Sequence, residues 1–205
     1  MNNIVMMYRR DISKEIYTQM MKKFQKKNGL FIEEVVDVNN LNFQQTYTFN
    51  KKKRLYDSHT GSVLGILFTG IKKGVIDCAK FHSNPELILA RVLERDNYVK
   101  NWLRPAKMEF EITYNNNNKY EPDFVVETHD KIYLVEVKGE DKLNASDVVA
   151  KKNSAIKYCA VVSRWAEVND YKPWEYLFIP SKKIYENSSF KQLSTDFIAS
   201  NVEKL

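Results

Sequence analysis

The sequence predicts one α/β domain, a mixed central β-sheet flanked by helices, carrying a small N-terminal α+β extension. Three observations predict it. A chain of 205 residues that is 43% hydrophobic can bury one sizeable core. Apolar residues at helical spacing alternate along it with strand-like runs. No internal repeat and no long linker divides it, so these elements belong to one packed unit with an appendage.

The elements follow in order. Ile12, Ile16, Met20 and Phe24 recur every four residues and predict an amphipathic helix ending near Asn28-Gly29. Residues 31–38 and 45–49 predict short strands about an Asn39-Asn40 turn, followed by the run Lys51-Lys52-Lys53-Arg54 and a loop through Gly61. Residues 1–62 form the expected extension, and 63–205 the main domain, beginning with a strand over 63–68. Leu87, Ala90 and Leu93, then Val99, Trp102 and Leu103, predict a helix that Pro105 must end. Strands are expected over 108–114, 124–127 and 131–138, with Asn115 to Asn118 as a loop and Thr128-His129-Asp130 as a turn. A helix over 146–165, a strand over 174–179 and a short helix over 190–198 complete the chain.

Composition excludes several classes. Cys78 and Cys159 stand far apart with no Cys-x-x-Cys or Cys/His cluster, which points away from a disulfide framework or a zinc site. The start lacks the features of a signal peptide and no apolar run is long enough for a membrane span, so a soluble, cytoplasmic protein without a membrane partner is expected. The net charge of +6 is carried by residues 1–54, with 11 Lys/Arg against 5 Asp/Glu, while the remainder holds 21 of each. This describes either a basic docking arm for a polyanion or a solvated lysine-rich surface.

The chemistry concentrates on one hairpin. If its turn is centred between His129 and Asp130, paired residue numbers sum to 259, and Asp123 faces Glu136. Strand alternation puts Glu136 and Lys138 on one face and Val135 and Val137 on the other. Two carboxylates and an ammonium converging beside apolar neighbours make sense around a hard cation such as Mg²⁺, which takes one or two carboxylates and completes its shell with water and phosphate oxygens. Lys138 would then stabilise charge on a scissile phosphate or orient the attacking water. A bare Glu-x-Lys is otherwise an ordinary solvated strand edge.

Pro122-Asp123 followed by Glu136-x-Lys138 resembles the signature of the PD-(D/E)XK nuclease superfamily. Further segments, Phe81-x-Ser83-x-x-Glu86, Leu93-Glu94-Arg95, Trp102-x-Arg104-Pro105, Tyr120-Glu121-Pro122-Asp123-Phe124-Val125, Lys151 with Ala155 and Tyr158-Cys159, and Lys172-Pro173-Trp174-x-Tyr176-x-x-Ile179-Pro180, resemble the C-terminal endonuclease region of type III restriction Res subunits over roughly residues 63 to 200. The resemblance implies a restriction-endonuclease-like fold and Mg²⁺-dependent hydrolysis of DNA phosphodiester bonds, with Mn²⁺ able to substitute, in restriction or defence. The alternatives are a repair or recombination nuclease, and a silent DNA-binding or assembly module. The implied metal ligands are Asp123, Glu136 and Glu86, with Lys138 completing the catalytic set.

Glu86 has a second reading, because Ser83-Asn84-Pro85-Glu86 is also a capping box. Glu94 is the alternative acid, or else a solvated partner of Arg91. Lys151, Arg104 and Lys107 are candidates for the DNA backbone, Lys151 equally for facing water, and Trp102 is expected in the core. His82 and Leu87 depart from residues usual in the family, away from the central three. No Walker motif is present: Gly65-x4-Gly70-Ile71-Lys72 lacks the Gly-Lys-Ser/Thr ending, so ATP use is not expected and any helicase, translocase or specificity subunit would be separate. Cutting both strands would favour a homodimer.

Overall fold

The structure, a computed structural model, describes residues 47–114, 118–139 and 146–199. The expected helix over 12–24 and strand over 31–38 lie outside the described residues. Along the chain come β1 (Lys51–Arg54), β2 (Ile66–Thr69), β3 (Cys78–Ala79), α1 (Asn84–Arg95), β4 (Val99–Leu103), β5 (Ile112–Tyr114), β6 (Asn118–Tyr120), β7 (Phe124–Thr128), β8 (Ile132–Lys138), α2 (Ser146–Val168), β9 (Trp174–Pro180) and α3 (Phe190–Asp196). The architecture is mixed α/β. A four-stranded sheet in the order β4-β7-β8-β9 is antiparallel except for the parallel β8–β9 pair, across which α2 makes the connection.

Alternation along the strands gives this sheet two apolar faces. Phe124 and Val126 of β7, Tyr133 and Val135 of β8, and Leu177 and Ile179 of β9 join one core with Leu87, Leu89 and Leu93 of α1 and Phe190 of α3. Val125, Ile132, Leu134 and Tyr176 face the other way, against Ala155, Ile156, Cys159 and Val162 of α2 and against Ile112, Tyr114 and Tyr120 of the β5–β6 hairpin. Helices therefore cover both faces, as strands apolar on both sides require. The hairpin of β7 and β8 pairs Phe124 with Val135 and Val125 with Leu134, which is the register summing to 259. Its turn is closed by Thr128, whose N–H donates to the Lys131 carbonyl and whose hydroxyl accepts from the Lys131 N–H.

Several expectations fail here, among them the strand over 108–114, which is paired only from Ile112, and two fail for identifiable reasons. The helix through Val99, Trp102 and Leu103 is instead α1 followed by a strand. Asp96 ends α1 in an extended conformation and its carboxylate accepts from the Tyr98 N–H. A register shift between Val99 and Asn101 then buries Val99 and Trp102, three residues apart; a bulge thus imitates helical spacing. The second is Lys51 to Arg54, which forms the exposed edge strand β1, parallel to β2, in a three-stranded sheet completed by β3. Leu55 follows it and is 1% exposed in the same core as Val63 and α1. A boundary at residue 62 accordingly runs through a packed unit. Residues 47–49, expected within a strand, precede β1 without strand pairing, and Asn118 begins β6 rather than belonging to the loop.

Candidate active site

The ladder between β7 and β8 ends at Phe124 and Val135, and the site lies just past that end. Asp123, one residue before β7, is held by its side chain rather than by strand pairing: Oδ2 accepts from the Val137 N–H at 2.9 Å. Glu136 projects from β8 on the face shared with Ile132 and Leu134, and it is 5% exposed. Lys138, two residues on and therefore on the same face, donates from Nζ to Glu136 Oε1 at 2.7 Å. The other oxygen, Glu136 Oε2, is buried with no hydrogen-bond partner. Leaving a buried carboxylate oxygen bare is costly unless something else meets it.

The electrostatics agree with crowded negative charge. Burial first, then the neighbouring carboxylates of Glu136 and Glu86, push Asp123 up to about 8, against the pull of Arg104 and the Val137 N–H. Burial likewise raises Glu136, opposed by Lys138. For Lys138 burial acts downward, but the Glu136 carboxylate outweighs it and holds the ammonium charged. Behind Glu136 lie two buried phenols, Tyr120 and Tyr176, each raised chiefly by burial. The Tyr120 hydroxyl lies beside Tyr176 and Glu136 and draws the Glu136 carboxyl downward as a long hydrogen bond would, although neither that hydroxyl nor Oε2 has a partner at ordinary geometry.

Glu86 lies in the first turn of α1 and accepts from three protein donors. Its Oε1 accepts from the Ser83 hydroxyl at 2.9 Å, and its Oε2 from the His82 N–H at 3.0 Å and from Arg104 Nη2 at 2.7 Å. The Ser83 hydroxyl in turn caps the Glu86 N–H, which is one half of a capping box; for the other half the Glu86 carboxylate takes the His82 N–H and the Ser83 hydroxyl rather than the Ser83 N–H. Among the described residues, no group of three or more His, Cys, Asp or Glu side chains is placed to hold a metal ion. Glu136 and Glu86 both bear on Asp123, and of the two it is Glu86 that is paired with Arg104.

Arg104, expected at the DNA backbone, points inward. It is buried, and its guanidinium reaches the carbonyls of Lys80 and Asp123, the His82 ring and Glu86. Lys107 is exposed on the turn that follows Pro105, and among the described residues no hydrogen bond or ion pair joins it to the cluster. Lys151, on the first turns of α2, pairs with Asp147 at 2.6 Å and lies 5.4 Å from the Tyr114 ring centre. Its charge is felt at both Glu136 and Lys138, so it borders the site. Glu94 is not a solvated partner of Arg91. It is buried, accepts from the backbone N–H groups of Lys72 and Lys73 and from Trp102 Nε1, and so fastens the loop after β2. Arg91 pairs with Glu186 instead. Trp102 is in the core, as expected.

The chain matches no family model and no curated protein. Two carboxylates at a sheet end, one with a bare buried oxygen, suit a cation that needs one or two carboxylates and otherwise takes water and phosphate oxygens. Nitrogen or sulfur ligands of the kind zinc prefers are not part of the set. The inward roles of Arg104 and Glu94, and the phenols behind Glu136, were not read from the sequence, because their partners are remote in the chain. Among the described residues no helix is long and apolar enough to cross a membrane.

Proposed function

We propose that this chain is a Mg²⁺-dependent endonuclease that hydrolyses DNA phosphodiester bonds on a restriction-endonuclease-like fold, in restriction or defence. The observation that carries this reading is the bare, buried Oε2 of Glu136 beside Asp123, with Lys138 bonded to the other Glu136 oxygen. The residue pattern Pro122-Asp123 with Glu136-x-Lys138, which resembles that of the PD-(D/E)XK nucleases, supports it independently.

Asp123 and Glu136 would hold the ion, with Mn²⁺ acceptable in its place. When bound, the ion supplies neutralisation of the scissile phosphate and a more acidic water. Every other part of the task falls to the chain. The Lys138 ammonium, kept charged by Glu136, donates to a non-bridging phosphate oxygen and stabilises the negative charge that grows there as water adds to phosphorus. Lys151, at the border of the site, exchanges Asp147 for a neighbouring backbone phosphate. Val137 N–H keeps Asp123 Oδ2 aimed at the site.

The test is nicking of supercoiled plasmid in Mg²⁺ or Mn²⁺ by the wild type, Asp123→Ala and Lys138→Ala. The expected result is cleavage by the wild type only, abolished by EDTA. Equal background cleavage by all three would overturn the enzymatic reading and leave a non-catalytic DNA-binding module.

A further inference from the structure

We infer that Arg104, with Glu86 as its counter-ion, is the positioning residue that sets the Asp123 carboxylate, and that Glu86 acts through Arg104 instead of ligating metal. The inference rests on Asp123 serving the proposed nuclease site, but its geometry can be tested without that reading.

Strand pairing stops just short of the site. Phe124 is the last β7 residue paired with β8, and Leu103 opposite Val125 is the last β4 residue paired with β7. Asp123 therefore lies beyond the ladder on both sides, where nothing periodic fixes its backbone. Arg104 takes over, since it follows β4 directly and its Nη1 donates to the Asp123 carbonyl at 3.0 Å, with Asp123 Oδ1 at 3.9 Å. The same guanidinium is fixed on its other edges by the Lys80 carbonyl at 2.8 Å, by Glu86 Oε2 at 2.7 Å and by His82 Nδ1 at 3.0 Å. A planar fork with several donors can tie these groups at once, whereas an ammonium is a single point of charge.

The Glu86 carboxylate already accepts from Ser83, His82 and Arg104, with Oε2 holding two of the three donors, and the Arg104 pair is almost completely removed from water, at 8% exposure on each side chain. Withdrawing Glu86 toward a metal would strand a buried guanidinium. The bare oxygen at the site belongs to Glu136. Glu86 thus locks Arg104 to the start of α1, and Arg104 locks Asp123 to the end of the sheet. Asp123 in turn holds the Val137 N–H, so the chain of contacts runs from α1 to β8.

The experiment compares Arg104→Lys and Glu86→Gln with the wild type by amide hydrogen exchange at Val137, by Mg²⁺ dependence and by cleavage. Arg104→Lys keeps the charge facing Glu86 but not the fork. Val137 exchange should rise about tenfold or more over that of Leu134 and Val135 with melting temperature little changed. The rate constant for cleavage should fall about 10- to 100-fold, the usual cost of losing a group that orients a metal ligand. Glu86→Gln, which keeps an acceptor oxygen for Arg104, should leave the Mg²⁺ half-saturation within about threefold. Should Arg104→Lys prove too unstable, the Arg104→Gln/Glu86→Gln pair, which buries no charge, gives the same exchange readout. Unchanged Val137 exchange in the arginine variant overturns the positioning role, and a tenfold or greater weakening of Mg²⁺ by Glu86→Gln overturns the assignment of Glu86. If the wild type neither cleaves nor binds Mg²⁺, the nuclease reading fails alone and Val137 exchange still decides the rest.

Discussion

Replacing Asp123 by Asn should stabilise the metal-free protein while destroying its function. The carboxyl is pushed up to about 8 from an ordinary value of 3.8, first by burial and then by Glu136 and Glu86. An acid raised in this way favours its protonated form in the folded state. Its stability is fully present below pH about 4, is lost as pH climbs toward 8, and changes no further above that. At roughly 1.4 kcal/mol per pH unit the interval sets a ceiling of about 6 kcal/mol. The side chain is 18% exposed and its charge state depends on that of Glu136, so water and the neighbouring carboxyl absorb much of this; about 1–3 kcal/mol remains. Asn keeps an oxygen for the Val137 N–H and leaves the backbone carbonyl on Arg104.

For a chain of this length, that gain corresponds to a rise in Tm of about 2–12 °C at pH 8 in EDTA. The assay is thermal unfolding across pH 4.5–8.5, with and without Mg²⁺. The difference should shrink toward pH 4.5, where wild-type Asp123 is itself protonated. Saturating Mg²⁺ should raise the wild type alone, because an amide repels no neighbour and attracts no cation. A lower Tm for the Asn variant at pH 8 in EDTA, or a difference that stays the same at pH 4.5, would refute the reasoning.

Three further outcomes follow from the same geometry. Lys138→Ala should lower the cleavage rate constant by about 100-fold or more while DNA affinity changes little, since its ammonium faces the reacting phosphate; a loss of affinity with the rate preserved would contradict this role. Lys151→Ala should weaken DNA binding modestly and reduce the dependence of log affinity on log salt by about one, measured by anisotropy titration; an unchanged slope would place Lys151 away from DNA. Phe124→Ala removes a ring that neighbours Trp102 and Phe81 in the core and carries the chain into the site. It should cost about 3–5 kcal/mol in denaturant unfolding, and a loss under 1 kcal/mol would contradict that packing.

The sequence revealed most where pattern and structure share a period. The β7–β8 hairpin has near-continuous apolar runs on both strands about a short polar turn, so its register could be counted from the turn and Glu136 and Lys138 assigned to one face. The long helix α2 and the strand β9 were legible for the same reason. β4 was not, because its bulge spaces Val99 and Trp102 as a helix would. The edge strand β1 was missed because its side chains are mostly exposed and carry no apolar alternation. Charged residues that turn inward were the hardest: Arg104 and Glu94 are bound to groups about twenty residues away, among them the carbonyls of Lys80 and Asp123 and the N–H groups of Lys72 and Lys73. Nothing local in the chain distinguishes such residues from solvated ones.

The central claim is that Asp123 and Glu136 share a divalent cation, and locating Mn²⁺ by anomalous scattering in crystals of the protein tests it most directly. The account predicts a peak coordinated by an Asp123 carboxylate oxygen and by Glu136 Oε2, with Glu86 still bonded to Arg104. No peak at Asp123 and Glu136 in crystals soaked to saturation would contradict the claim, and a peak ligated by Glu86 would contradict the role assigned to Arg104.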